Sequence, residues 1–136
     1  MRGIADTGYL VGLLAQNDQY HAWATDLAGQ LDPPLLTCEA VLAETAYHLK
    51  SNIYVLAMLE RGAIRVAFDY ASELDHLLDL AEGYADRKPD LADLCLIRMS
   101  ELYPKHSVIT VDSDFRVYRR NKREAIPLLT PPRMKK

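Results

Sequence analysis

Asp6 closes the short apolar run Ile4-Ala5, and Asp112 closes the run from Ser107 to Val111. Both runs read as buried strands, so both acids stand at strand carboxyl ends. Glu44 lies in a helical segment from Cys38 to Lys50, where Ala40, Val41, Tyr47 and His48 bracket it at spacings of three and four and place it in the inward stripe. Asp93 is the single charge in Leu91-Ala92-Asp93-Leu94-Cys95-Leu96-Ile97, and Asp90 lies one turn earlier on the same face. A lone carboxylate on an apolar face carries a desolvation penalty, and such acids are normally paired with a cation. The neighbouring segments offer no Lys or Arg suited to all four. A bound divalent cation resolves the conflict, and a set of hard oxygen donors selects Mg²⁺ or Mn²⁺. His21, His48, His76 and His106 show no zinc-ligand spacing. Each acid also has a plain structural reading. Asp6 and Asp90 suit helix N-caps, Asp112 and Asp114 suit turns, and Glu44 can reach the edge of its helix.

The elements that must position these acids alternate along the chain. After the strand at Ile4-Ala5, a helix runs from Thr7 to about Gln16 and a second from about Gln19 to Leu31. Leu35 to Thr37 is a strand feeding the helix of Glu44, followed by a helix from Ile53 to Arg61 that Gly62 stops, and a strand from Ala63 to Phe68. Ser72-Glu73-Leu74-Asp75 resembles a capping box, and Leu74, Leu77, Leu78, Ala81, Tyr84 and Ala85 then follow helical spacing to about Asp86 as a core face. Past Pro89 a helix covers Leu91 to Tyr103, then come the strand ending at Asp112 and a last strand around Ile126 to Leu129. Such alternation predicts an α/β fold, a mostly parallel central sheet with helices on both faces. Ligands in these sheets bind beyond the strand carboxyl ends, where the strand order reverses.

With 136 residues, 49% hydrophobic and 26% charged, the chain has the composition of one ordinary globular domain. At that size roughly two thirds of the chain surface can be buried without disulfides. Cys38 and Cys95 have no CxxC or Cys/His spacing and read as reduced core residues, which fits a cytoplasmic protein. The apolar run Gly8 to Ala15 behind Arg2 is too short for a membrane span, and Asp6 interrupts it as a leader. The net charge of −3 argues at first against a nucleic-acid partner. It hides an asymmetry, because residues 1–115 hold eight Lys/Arg against eighteen Asp/Glu, whereas residues 116–136 hold eight Lys/Arg against Glu124 alone. An acidic body with a basic end allows an anionic partner at that end.

The segments Ala5-Asp6-Thr7-Gly8-Tyr9-Leu10-Val11, Leu36-Thr37-Cys38-Glu39-Ala40-Val41-Leu42-Ala43-Glu44, Asp90-Leu91-Ala92-Asp93 and Val111-Asp112-Ser113-Asp114-Phe115 resemble, in order and separation, the four acidic motifs of PIN-domain proteins. Among these the chain is most similar to the VapC-like ribonuclease toxins of bacterial type II toxin–antitoxin modules. The resemblance covers almost the whole chain and implies a PIN-like nuclease domain over residues 1–130 with a basic C-terminal tail at 131–136. It implies a metal-dependent endoribonuclease in which Asp6, Glu44, Asp93 and Asp112 are catalytic and hold Mg²⁺ or Mn²⁺, with Asp90 and Asp114 as accessory ligands. Thr7 would orient Asp6 or the metal's water shell, and Thr110 would play a similar supporting part. Metal chemistry of this kind polarises the scissile phosphate and activates a water for in-line displacement, with Asp93 or Asp114 as the acid that orients the water.

By the same resemblance the partners are an RNA substrate, a cognate antitoxin and a second copy of the chain, with no membrane association. An acidic pocket repels RNA unless basic groups flank it, which makes Arg116, Arg119, Arg120, Lys122 and Arg123 candidates for RNA contact, against the plainer reading of a solvated helix or turn surface. Tyr118 suits base stacking or an amphipathic surface position, and Tyr20, His21 and Trp23 suit helix packing. Arg133, Lys135 and Lys136 belong to the tail. Other acidic-pocket folds fit worse. A phosphatase of the haloacid dehalogenase type wants a second Asp where Gly8 stands, and a response-regulator receiver wants a late strand-end Lys, whereas Lys105 precedes its strand. Two further readings stay open: a non-catalytic PIN-like module that binds RNA or protein, and an RNA-processing PIN nuclease outside any toxin module.

Overall fold

The first strand, β1 (Gly3–Ala5), is buried along its whole length and sits in the middle of the molecule. A strand covered on both faces must be apolar at every residue, which Gly3-Ile4-Ala5 satisfies. Gly3 also answers a close approach, since a Cβ there would collide with the Ile109 side chain. The computed structural model describes residues 1–134. Lys135 and Lys136 of the expected tail therefore lie outside the described residues.

From β1 the chain passes through α1 (Thr7–Leu14) and α2 (His21–Ala28) to β2 (Leu35–Thr37), then α3 (Glu39–Leu49), α4 (Ile53–Glu60) and β3 (Ile64–Val66). It continues with α5 (Tyr70–Gly83), α6 (Leu91–Leu102) and β4 (Ser107–Ile109), a 3-10 turn at Ser113–Arg116, the pair β5 (Arg119–Arg120) and β6 (Glu124–Ala125), and finally β7 (Leu128–Leu129). Five strands form one parallel sheet in the order β3-β2-β1-β4-β7, flanked by the six helices. The register is continuous: Ile4 sits between Leu36 of β2 and Val108 of β4, and Val108 and Ile109 face Leu128 and Leu129. The strand order reverses at β1, with β2 on one side and β4 on the other, so Asp6 and Thr110 emerge side by side at the switch point. The expected α/β fold with a central parallel sheet is the observed one.

The core beneath the switch point is α6, which packs on β1 and β4. Ala92, Leu94, Cys95, Leu96, Ile97, Met99 and Ser100 are all buried, so the middle of this helix is enclosed nearly all round, while Asp93, Arg98 and Glu101 are half-buried and the end residues Leu91 and Leu102 are exposed. Cys38 and Cys95 are free thiols, both fully buried. Among the described residues no helix is long and apolar enough to cross a membrane.

Local departures from the sequence expectation have identifiable causes. The cap of α5 is Asp69 rather than Ser72, and it accepts from the Ala71 amide at 3.2 Å while the Ser72 hydroxyl donates back to it at 3.1 Å. Tyr70, set edge-on to Phe68 with ring centroids 5.2 Å apart, belongs to the first turn and starts the helix one box earlier. The core face of α5 is also rotated from the expected one. Leu77 is buried and Leu80, Ala81 and Tyr84 pack on the core, whereas Leu74 and Leu78 are half exposed. Two adjacent stripes of α5 are apolar, and contact with α6 selects one of them. The basic segment is neither helix nor plain turn but a hairpin, in which Asn121 and Lys122 take positive φ of 49° and 70° between β5 and β6. Tyr118 is 1% exposed, so it is a core residue rather than a surface tyrosine. It stacks edge-on with Phe115 and Tyr84, with centroid distances of 5.3 and 5.2 Å.

Candidate active site

Asp6 is the N-cap of α1 and the residue after β1, and both its roles are set by the backbone. Its amide continues the ladder by donating to Ile109 O at 3.0 Å, which fixes it beside Thr110. One carboxylate oxygen accepts from the Thr7 amide at 2.7 Å and the other from the Thr110 hydroxyl at 2.6 Å. Thr110 is fully buried, and its Oγ1 accepts in turn from the Asp112 amide at 3.0 Å. One hydroxyl therefore ties the acid after β1 to the acid after β4. The Thr7 hydroxyl donates to Glu44 Oε1 at 2.6 Å, which ties α1 to α3. Thr7 thus orients Glu44 through its side chain and Asp6 through its backbone.

Asp90 and Asp93 form a reciprocal capping box at the start of α6, in which the Asp93 amide donates to Asp90 Oδ1 at 2.8 Å and the Asp90 amide to Asp93 Oδ2 at 3.2 Å. Asp112 caps the 3-10 turn by accepting from the Asp114 amide at 2.9 Å. The capping readings of Asp6, Asp90 and Asp112 are therefore all realised. Because the capped ends converge on the sheet's switch point, capping and convergence are one arrangement. A cleft of about 280 Å³ opens there, lined by Asp6, Thr7, Glu44, Asp90, Asp93 and Asp112 together with Gly8, Val11, Asp18, Tyr20, His48 and Val111. Asp18 and His48 are lining groups that sequence reasoning left without a role at the site, and Tyr20, read as helix packing, lines the cleft as well. His48 was findable, one turn beyond Glu44 on the same face of α3. Asp18 carries no such signal; its visible role is an Asx turn, accepting from the Tyr20 amide at 2.9 Å.

The lining holds six carboxylates and no Lys or Arg. Burial, then the charges of Asp112 and Glu44, push Asp6 up from 3.8 to about 6 against the pull of its two hydrogen bonds. Burial and the charges of Asp90, Asp6 and Asp112 push Asp93 up to about 8. Asp112 is raised as well, by burial and by Asp114 and Asp90. Such a set of hard oxygen donors, crowded until it resists ionising, is the environment a divalent oxygen-seeking cation relieves. Among the described residues no three His, Cys, Asp or Glu side chains are gathered tightly enough to hold an ion on their own. Mg²⁺ keeps several of its waters and needs only one or two direct carboxylates.

Asp114 is not among the lining groups; its Oδ1 faces the Arg87 guanidinium at 3.5 Å. The basic residues after it do not line the cleft either. Arg119 donates to the carbonyls of Arg116 and Tyr118 at 2.8 and 3.1 Å. Arg120 donates to Ser100 O and Pro104 O at 3.0 and 3.2 Å and meets Glu124 at 3.3 Å. Both guanidiniums hold the hairpin to α6 and the turns around it, and Arg119 with Lys122 borders a separate cavity beside α5. Arg116, Lys122 and Arg123 are exposed. His21 packs as expected, with Nδ1 2.8 Å from Gly12 O, and Tyr20 and Trp23 stack edge-on.

Compared with known proteins, the chain matches the family model for the PIN domain over residues 4–121, a span that includes all four principal acids. No curated protein matches it.

Proposed function

This chain belongs to the PIN-domain family, whose members are generally nucleases, and on that premise we propose that it is a Mg²⁺- or Mn²⁺-dependent endoribonuclease acting as the toxin of a toxin–antitoxin module. The observation that carries the nuclease reading is the cleft at the switch point, six carboxylates without a Lys or Arg among its lining groups. Asp6, Glu44, Asp93 and Asp112 would hold the metal, with Asp90 beside them. When bound, the metal supplies Lewis acidity and charge neutralisation for hydrolysis of a phosphodiester bond.

The chain's own residues do the rest. Thr110 fixes the rotamers of Asp6 and the turn of Asp112, and Thr7 fixes Glu44, so these carboxylates are preorganised before substrate arrives. Of the two acids considered for orienting the attacking water, Asp93 lines the cleft and Asp114 is turned to Arg87. Asp93 therefore takes that role.

The toxin role, the antitoxin and the homodimer rest on the likeness to VapC-like toxins, as does the cytoplasmic location. Supporting a protein partner, α3 and α4 leave Tyr47, Ile53, Tyr54 and Leu56 exposed at 81, 72, 53 and 58%. Large exposed apolar side chains on two helices in contact are the kind of surface a protein partner covers. The test is cleavage of structured and single-stranded RNA by the purified protein in Mg²⁺ or Mn²⁺, against EDTA and against Asp6→Asn. Metal-dependent cleavage abolished by the substitution supports the reading. Folded wild type that binds RNA without cleaving it establishes the non-catalytic module instead, and equal activity of the variant removes Asp6 from the chemistry. Growth arrest on expression separates a toxin from an RNA-processing nuclease.

A further inference from the structure

The cleft just described is ringed by carboxylates, and an RNA strand approaching it needs a cation close by. The cations that sequence reasoning favoured do not line the cleft, and Arg119 and Arg120 are tied to backbone carbonyls. Arg98 is held between Glu73 and Glu101 with its side chain 15% exposed. Arg87 is different. Among the described residues it forms the single ion pair between a cation and one of the six motif acids, reaching Asp114 Oδ1 across 3.5 Å with side chains 40% and 46% exposed. That pair is long and open to solvent on both sides. It holds the guanidinium in place without consuming its donors, of which four remain free of Asp114.

The loop that carries Arg87 is anchored. The amides of Arg87 and Lys88 both donate to Tyr84 O, at 2.9 and 3.0 Å. Tyr84 stacks on the buried Tyr118, and its hydroxyl accepts from the Arg119 amide at 2.8 Å. Tyr118 in turn packs on Phe115, inside the turn that carries Asp114. An aromatic chain thus fixes the loop of Arg87 against the Asp112–Asp114 turn, where the guanidinium meets Asp114 at the edge of the acids' hydrogen-bond network. Lys88, at φ 49°, brings a second positive charge to the same loop immediately before Pro89 and Asp90.

Building on the nuclease reading, we propose that Arg87 is a substrate-binding residue: its guanidinium leaves Asp114 to take a backbone phosphate of the RNA strand next to the scissile bond. Asp114 holds it in position in the free protein. A planar fork with free N–H groups matches a phosphate bidentately, and an exposed, long ion pair is readily exchanged for that contact.

The experiment is a titration of a labelled single-stranded oligoribonucleotide by fluorescence anisotropy, in EDTA so that bound metal does not contribute, across a salt series. Arg87→Ala weakens binding about tenfold and makes the plot of log affinity against log salt shallower by about 0.7. Arg87→Lys keeps the slope and loses part of the affinity. Asp114→Asn tightens binding, because it frees Arg87 and removes a repulsive charge. In Mg²⁺, Arg87→Ala raises KM with little change in kcat. Wild-type affinity and slope in a folded Arg87→Ala protein overturn the inference. So does an Asp114→Asn variant as weak as Arg87→Ala, since the pair would then be a structural prop. Failure of the nuclease reading is distinguishable: wild type that binds RNA but does not cleave it in metal sinks that reading, while the salt slope still decides whether Arg87 meets phosphate.

Discussion

Neutralising Asp6 should stabilise the metal-free fold while abolishing cleavage. The Asp6 side chain is 8% exposed and its carboxyl is held at about 6 instead of 3.8. A pKa raised in the folded state means that the native protein binds more protons than the unfolded chain between those values, so stability falls as pH rises from about 4 to about 6 and then levels off. Ionised Asp6 therefore costs the metal-free fold about 3 kcal/mol at neutral pH. Asp6→Asn removes that penalty. It keeps the acceptor for the Thr7 amide, but its NH₂ meets the Thr110 hydroxyl that now donates at 2.6 Å, and reversing that bond costs about 1 kcal/mol. The net gain is about 2 kcal/mol at pH 7.5, a rise of about 1 M in the urea midpoint for an m value of about 2 kcal/mol/M. At pH 3.5 Asp6 is protonated in the fold and mostly so in the unfolded chain, and the variant should be no better than wild type. Urea unfolding followed by circular dichroism in EDTA at both pH values reads the difference. A variant that gains nothing at pH 7.5, or gains as much at pH 3.5, refutes the claim that like charge and burial at this cleft oppose folding. Saturating Mg²⁺ should close the gap from the other side, by stabilising wild type and leaving the variant nearly unmoved.

Thr110→Val preserves shape but removes one of the two donors to the Asp6 carboxylate and leaves the Asp112 amide without its acceptor, at a cost of about 2–4 kcal/mol. Its loss should be larger at pH 7.5 than at pH 3.5 in the same unfolding assay, because the bond to Asp6 is strongest when the acid is charged; equal losses would make Thr110 a packing residue only. Gly8→Ala would gain about 1 kcal/mol from helix propensity alone, yet its Cβ would overlap Val111 Cγ2 in the residue before Asp112. Overpacking of about 1–3 kcal/mol should win, giving a lower Tm and reduced cleavage, and a stabilised variant would show that Val111 yields freely.

The four principal acids were legible because each breaks a local rule: an Asp ending an apolar strand, or a charge on an otherwise apolar helix face. Their convergence followed from the alternation of elements, since a parallel sheet brings all strand carboxyl ends to one edge. What stayed hidden depends on contacts that no local pattern encodes. Nothing in Arg119-Arg120 distinguishes a guanidinium bonded to distant carbonyls at Ser100 and Pro104 from one facing water. The two-residue strands β5 and β6 are too short for alternation to register. Tyr118 reads as amphipathic beside its basic neighbours, and its burial comes from Tyr84 and Phe115, one of them thirty-four positions away.

The same division explains why Arg87 was not singled out from the sequence. Sequence proximity to Asp112 favoured the run from Arg116 to Arg123, because a charge run is conspicuous and adjacent. Arg87 sits alone between Asp86 and Lys88, twenty-seven positions from its partner Asp114, and only the packing of Tyr84 on Tyr118 brings it there. A run of basic residues announces surface charge; where a single guanidinium meets a motif acid is decided by tertiary contacts. For an acidic nuclease cleft this distinction matters physically, because a phosphate held one contact away from the carboxylates is fixed in register with them, whereas a diffuse basic edge raises only the local concentration of RNA. The KM and salt-slope measurements on Arg87 separate these two effects, since a positioning contact removes one discrete phosphate from the slope and a diffuse field lowers it across many residues at once.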